Sequence, residues 1–270
     1  MTATTATQFL STTRGDRVAY ARYGNGPGVV FVTGAGPDRA NDPITERTAQ
    51  LVGEAGFTAI TWDRLGRGES PASGALDLDR ELDALAAVIA AAGGSAVLVG
   101  HSSGSSIALA AVDRGMPVDG LVLWEAPIAD TNGDTAEWAA EFERLLDAGE
   151  LENAQLWYMK DMPPEWVEGA RASGAWPHIV AQAGSMRADA QSMGWATGDD
   201  PTATFAGVRV PVLILAGTET FDEMIASSQL VVDSIPGARQ ERLTGAHHSW
   251  EPDAMAARIA SFATELVTQP

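Results

Sequence analysis

Ser102 stands at the centre of Gly100-His101-Ser102-Ser103-Gly104, directly behind the apolar run Ala96-Val97-Leu98-Val99 and ahead of a helical stretch. A serine on a strand-to-helix turn this sharp is held in a strained backbone conformation, with its oxygen pushed out at the carboxyl edge of a sheet. Only small neighbours fit around such a turn, and Gly100 and Gly104 supply the space. A hydroxyl becomes a useful nucleophile once a base removes its proton. The chain has four histidines that could do so. His101 adjoins the serine, but the turn sends neighbouring side chains in different directions, so it reads as packing beside the turn. His178 falls in a helical region and reads as structural, with a pocket role as the second option. His247 and His248 follow one another in Gly245-Ala246-His247-His248, in the loop after the last strand.

The elements that must position these groups can be read along the chain. Gln8–Thr12 and Arg17–Arg22 alternate around Thr13-Arg14-Gly15-Asp16 and predict an amino-terminal hairpin. Val29–Val32 is a continuous apolar strand ending in Thr33-Gly34-Ala35-Gly36-Pro37, and Phe57–Trp62 is another, followed by Asp63-Arg64-Leu65-Gly66-Arg67-Gly68-Glu69-Ser70. Helical spacing covers Ile44–Ala55, Asp77–Ala92, Ser103–Arg114 and Pro252–Val267, with glycines closing the first two. Leu121–Trp124, Val210–Leu215 and Gln240–Leu243 are further strands. Strands alternating with helices predict an α/β fold, a mostly parallel central sheet with helices on both faces. Between about 130 and 204 the buried-strand pattern stops, and helical pieces broken by glycine and proline take over. That segment is expected to be an all-helical insertion, with 1–129 and 205–270 forming the core domain.

Bulk composition narrows the partners. A net charge of −19, from 36 acidic and 17 basic residues, repels phosphate backbones and anionic lipids, so neither a nucleic-acid nor a membrane partner is expected. The absence of cysteine excludes a disulfide framework, a thiolate metal site and a cysteine nucleophile. The first residues show no basic start followed by an apolar core, so a cytoplasmic protein is the expectation.

Taken together, these motifs resemble the α/β-hydrolase superfamily from about Gln8 to Val267, in its serine-nucleophile branch with a helical cap. The resemblance rests on Gly100-His101-Ser102-Ser103-Gly104, on the 63–70 loop, which is similar to the family's D-x-x-G-x-G-x-S, on Thr33-Gly34-Ala35-Gly36 where the family often has H-G-x-G, and on Gly245-Ala246-His247-His248, which matches G-x-x-H. It implies Ser102 as nucleophile and favours His248 over His247 as the base. It also implies an oxyanion hole made by the N–H groups of Ser103 and Ala35, with Thr33 replacing a supportive histidine. Asp63 and its glycines look like scaffolding that holds the 63–70 loop together with Arg64 and Ser70.

The acid departs from the commonest pattern. Many relatives have G-x-x-D after the strand at 212–217, but here that place is Thr220, with Glu219 one residue early and Asp222 two late. Glu125 instead ends the buried strand Leu121–Trp124. A lone charge there would cost several kcal/mol to bury without a partner. Some relatives, including zearalenone lactonases, use a glutamate at this position, so Glu125 is favoured over Asp222 and Glu219.

The resemblance implies hydrolysis of a carboxylic ester or lactone without cofactor or metal. Carbon–carbon bond hydrolysis, haloperoxidase-like chemistry and a non-catalytic ligand-binding member are the alternatives. Five of the eight tryptophans fall in the insertion, which suggests an apolar ceiling for a small to medium apolar substrate. The candidate substrate-binding residues are Gly34, Trp138, Trp157, Trp176 and His178.

Overall fold

In the computed structural model, which describes residues 6–128, 133–198 and 200–268, the chain opens with an antiparallel hairpin of β1 (Gln8–Ser11) and β2 (Arg17–Tyr23). Strands and helices then alternate through β3 (Gly28–Val32), α1 (Pro43–Glu54), β4 (Thr58–Trp62), α2 (Leu78–Ala92), β5 (Ala96–His101), α3 (Ser103–Asp113) and β6 (Val118–Trp124). A helical segment follows: α4 (Thr135–Asp147), α5 (Leu151–Tyr158), α6 (Pro164–Ala172), α7 (Trp176–Ala181), α8 (Arg187–Ala196) and α9 (Pro201–Thr204). The chain returns to the sheet with β7 (Val212–Gly217), α10 (Asp222–Ser234) and β8 (Arg239–Leu243), makes a short hairpin of β9 (Gly245–Ala246) and β10 (Ser249–Trp250), and ends in α11 (Pro252–Thr268).

Eight strands form one sheet in the order β1-β2-β4-β3-β5-β6-β7-β8. It is parallel from β4 to β8, while β2 runs antiparallel to both of its neighbours. The central strands are apolar throughout because both of their faces are covered. Val29, Phe31, Val97, Val99, Val122, Trp124, Leu213 and Leu215 point to one side, against Val52 of α1 and Ile259 and Phe262 of α11. Their alternating neighbours Val30, Val32, Leu98, Leu121, Leu123 and Ile214 point to the other, with Leu85 and Ile89 of α2, Ile107 of α3 and Val231 of α10. Helix starts follow their caps: the Asp42 carboxylate accepts the Thr45 N–H at 3.0 Å and Asp77 that of Arg80 at 2.9 Å.

The described residues from 133 to 204 contain helices and no strand, and they build a separate core from Phe142, Leu145, Tyr158, Met186 and Met193. The expected boundary at 129/130 lies outside the described residues. α8 joins the two cores, with Ala188 and Ala196 packed into the main one and Ala190 and Met193 into the other. α10 is a helix the sequence pattern does not announce. It buries mainly Ser227, Ser228, Val231 and Ser234, and such small side chains leave no apolar stripe to read. Among the described residues no helix is long and apolar enough to cross a membrane.

Candidate active site

The parallel strands β5, β6 and β7 end side by side, and their carboxyl tips assemble the site. Ser102 follows β5 with φ 53° and ψ −131° and caps α3. Its N–H donates to the carbonyl of Trp124, at the tip of β6, at 2.9 Å. The turn is tight because Gly104 lies on the first central strand: a Cβ there would stand 2.1 Å from the Val32 carbonyl oxygen. Gly34 lies against Ser102, since a Cβ on it would fall 2.9 Å from Ser102 Cβ and 3.5 Å from its Oγ.

Glu125, one residue past β6, is fully buried. Its Oε2 accepts His248 Nδ1–H at 2.6 Å, and its Oε1 accepts the Gly217 N–H at 2.9 Å. Burial alone would raise this carboxyl. The imidazole and the Gly217 N–H outweigh burial and hold it below the usual glutamate range. Asp222 instead begins α10 and is exposed, and Glu219 is exposed beyond the tip of β7. The alternative carboxylates therefore face solvent, while Glu125 meets the imidazole.

His248 is held from behind. Its backbone carbonyl accepts from His101 Nε2 at 2.9 Å and from Trp124 Nε1 at 3.3 Å. A carbonyl can only accept, so His101 carries its proton on Nε2. The His101 ring is 5.0 Å from that of His248 and meets the edge of Trp250 at 5.2 Å. Burial and the adjacent imidazole push His101 down to about 4. The residue read as packing beside the turn thus also braces His248. His247 points outward and is exposed. Among the described residues, the non-glycine positions with positive φ are Ser102, Glu125, His247 and His248. Such conformations cost of order 1–3 kcal/mol each and persist where the surroundings over-determine them. Here two of them follow the tips of β5 and β6 and the other two form the β9–β10 turn.

Ser103 is the first residue of α3, where a backbone N–H has no partner inside the helix. Ala35 is half-buried and packs against the helical segment's core. The loop carrying Ala35 is held by residues of the 63–70 turn and by residues with no sequence signal. Arg64 Nη1 donates to the carbonyls of Thr33 at 3.0 Å and Gly34 at 3.3 Å, and Arg67 Nη1 to Gly34 at 2.6 Å. Both guanidiniums are buried against Asp189 of α8, which also accepts from the Ser103 hydroxyl at 2.7 Å. Burial pushes the nearby Tyr158 hydroxyl well above its ordinary range. The motif Asp63-Arg64-Leu65-Gly66-Arg67 was a visible signal for the two arginines, and Asp189 had none. Asp63 and Ser70 hold the turn as expected, Asp63 accepting the N–H groups of Arg39 and Glu69 and Ser70 that of Ala19.

The candidate substrate-binding residues divide. Trp138 and Trp157 exchange indole N–H bonds with each other's carbonyls, at 3.2 and 2.9 Å, and pack with Ala35 on the same core. Trp176 is buried elsewhere: its N–H is on Glu152 at 2.9 Å and its face under the Arg171 guanidinium, both exposed side chains. His178, on α7, is exposed. Helix α7 packs on α5, on α6 and on the 183–186 turn, so Trp176 sits among the side chains of the outer helices. Among the described residues no group of three or more histidine, aspartate or glutamate side chains is placed to hold a metal ion.

The model of the alpha/beta hydrolase family matches residues 29–261, and the chain belongs to that family. It is similar to the solved structure of an alpha/beta hydrolase from Sphaerobacter thermophilus, 33% identical over 95% of this chain and all of that one, with a TM-score of 0.79. An esterase from Rhodococcus sp. shares the fold at 21% identity over 96% of this chain and 99% of that one, TM-score 0.61. A thermophilic esterase from Thermogutta terrifontis does so at 22% identity over 97% and 98%, TM-score 0.61. No protein of curated function matches the sequence.

Proposed function

We propose that the chain is a serine hydrolase that cleaves a carboxylic ester or lactone of a small to medium apolar substrate through an acyl-enzyme. The observation that carries this reading is the Glu125–His248 pair: a fully buried carboxylate 2.6 Å from Nδ1, at a strand tip beside that of Ser102. With Nδ1–H on Glu125, Nε2 is the ring nitrogen left to act as base. Ser102 Oγ attacks the carbonyl carbon as His248 Nε2 takes its proton. The charge that develops on the carbonyl oxygen is received by the N–H groups of Ala35 and Ser103. Collapse expels the alcohol oxygen, which leaves with the proton from His248, and water then releases the acid by the same steps. Glu125 fixes the imidazole tautomer and stabilises the imidazolium. The helical segment, through Trp138 and Trp157, which pack on the same core as Ala35, forms the apolar side of the substrate site. The esterases that share the fold support the substrate class.

The test is turnover of a panel of p-nitrophenyl esters and lactones by purified protein, with Ser102→Ala as control. Ester or lactone hydrolysis is expected, with a loss of at least about a thousandfold in kcat for Ser102→Ala and stoichiometric labelling of Ser102 by a fluorophosphonate. Full turnover by Ser102→Ala, or labelling at another residue, refutes the reading.

A further inference from the structure

We infer that Arg67, with Arg64, is a positioning residue for the oxyanion site, gripping the carbonyl of the Gly34–Ala35 peptide so that the N–H of that same peptide is aimed and strengthened as a donor. This inference deepens the hydrolase reading and rests on it. The two ends of a peptide unit belong to one delocalised system. Electron density drawn onto the Gly34 oxygen by a cation therefore leaves the Ala35 N–H more acidic, as in any cooperative chain of hydrogen bonds. Two guanidinium groups bond that one oxygen, Arg67 Nη1 at 2.6 Å and Arg64 Nη1 at 3.3 Å. Both side chains are at most 1% exposed, so solvent does little to screen them.

The cations are themselves held in place. Arg64 Nε meets Glu81 at 2.5 Å, and Asp189 takes Arg64 at 2.7 Å and Arg67 at 2.9 Å. Ser185 accepts from Arg67 Nε at 2.9 Å. Two cations face two anions, so the cluster is neutral overall while its positive side is turned to the Gly34 carbonyl. Burial and the neighbouring Arg64 bring Arg67 down to about 10, which leaves it protonated at neutral pH. The second donor is tied to the same cluster, because the Ser103 hydroxyl donates to Asp189. Asp189 lies on α8 of the helical segment, so the seating of that segment and the shape of the oxyanion site are mechanically one feature.

Arg67→Gln alone would strand a buried charge on Asp189 and risk unfolding. The informative variant is Arg67→Gln/Asp189→Asn, which removes one cation and one anion and leaves Arg64 with Glu81. Two inhibitors separate positioning from bulk packing. A trifluoromethyl ketone adds Ser102 Oγ and places an oxyanion in the hole, and the matching secondary alcohol fills the same space without one. For the double variant, with active sites counted by fluorophosphonate titration, kcat should fall about 10- to 100-fold with KM nearly unchanged. That is less than the ~10²–10³ seen when an oxyanion donor is lost outright. Ketone affinity should fall by the same factor and alcohol affinity should not. Arg67→Lys, which keeps a cation but not the planar fork, should fall between.

Unchanged kcat and ketone affinity, or equal losses for ketone and alcohol, overturn the inference. If the double variant does not fold, Arg67→Lys decides with the same inhibitors: a selective loss for the ketone supports the inference, and no selective loss sinks it. Retained activity in Ser102→Ala would instead bring down the hydrolase reading itself.

Discussion

Replacing Glu125 by glutamine should be more damaging than its near-identical shape suggests, and the structure says why. The carboxylate receives two donors, the Gly217 N–H at 2.9 Å on one oxygen and His248 Nδ1–H at 2.6 Å on the other. Glutamine offers one acceptor and one donor. The backbone N–H of Gly217 sits at the end of β7 and cannot turn away, so the amide oxygen must serve it. The amide NH2 then faces Nδ1, which becomes an acceptor, and the ring's proton moves to Nε2. A histidine protonated on Nε2 cannot take the proton of Ser102. The expected loss in kcat is ~10⁴-fold, the size known for a triad locked in the wrong tautomer, or roughly 5 kcal/mol of barrier. Glu125→Ala removes the charge but leaves the tautomer free, so it should retain more activity than Glu125→Gln. Asp222→Asn and Glu219→Gln, both on exposed carboxylates, should change kcat little. Burst kinetics with p-nitrophenyl acetate, alongside thermal melts showing that each variant is folded, provide the comparison. A folded Glu125→Gln keeping more than about a tenth of kcat, or Asp222→Asn as the more damaged enzyme, would refute the reasoning.

Three further outcomes follow from the same geometry. His101 is held at about 4 in the fold against about 6.5 in an unfolded chain. The unfolded state therefore binds the proton first as pH falls, and stability complete above about 6.5 is lost between there and about 4, by up to about 3 kcal/mol. Urea midpoints at pH 8 and pH 5 should differ less in His101→Gln than in the parent, and equal differences would remove His101 as the source. In Gly34→Ala the new Cβ meets Ser102 Cβ at 2.9 Å and the His101 carbonyl at 3.0 Å, so the loop must shift. A shift of that kind should cost about 10²-fold in kcat and slow fluorophosphonate labelling, whereas unaltered labelling would mean that the loop does not flank the nucleophile. Trp138→Ala removes stacking on Phe142, a tilted ring contact with Tyr158 and the N–H bond to the Trp157 carbonyl. It should lower stability by roughly 2–3 kcal/mol and raise KM more than it lowers kcat, which melting curves and steady-state kinetics on two esters of different size can separate.

The parts of the fold that were legible in the sequence are those whose signal is local. Val29–Val32, Leu98–Val99 and Leu213–Leu215 are continuous apolar strands because helices cover both faces of the sheet, and glycine marks the turn at Ser102 because the Val32 carbonyl leaves no room for a Cβ on Gly104. α10 escaped notice because it buries serines. The polar cluster beneath the Ala35 loop was illegible for a different reason: Arg64 and Arg67 meet Asp189 across more than 120 positions of chain, and no periodicity links residues so far apart. The histidines show the same limit. The spacing to Gly245 distinguishes His248 from His247, yet nothing local says that His101 donates to the His248 carbonyl. Tryptophan content marked the helical segment as aromatic, but where each ring lies depends on how its helices pack: Trp138 and Trp157 join the segment's core, and Trp176 meets the exposed Glu152.

If Glu125 is the acid, as proposed, its displacement has an explanation in the sheet itself. β6 and β7 are parallel neighbours in register, with Trp124 paired to Leu215, and the Glu125 N–H continues the ladder onto the Leu215 carbonyl. Their tips therefore open into the same small volume, and a carboxylate arriving from either strand meets the same imidazole nitrogen. Thr220, at the place where the resemblance expects the aspartate, brings a neutral side chain near the Glu125 carboxylate. A second carboxylate there would oppose its ionisation, since two like charges in a buried space force one of them to keep its proton. On the proposed reading the threonine and the glutamate are two halves of one arrangement: with the acid carried on β6, a neutral residue past the tip of β7 leaves it ionised.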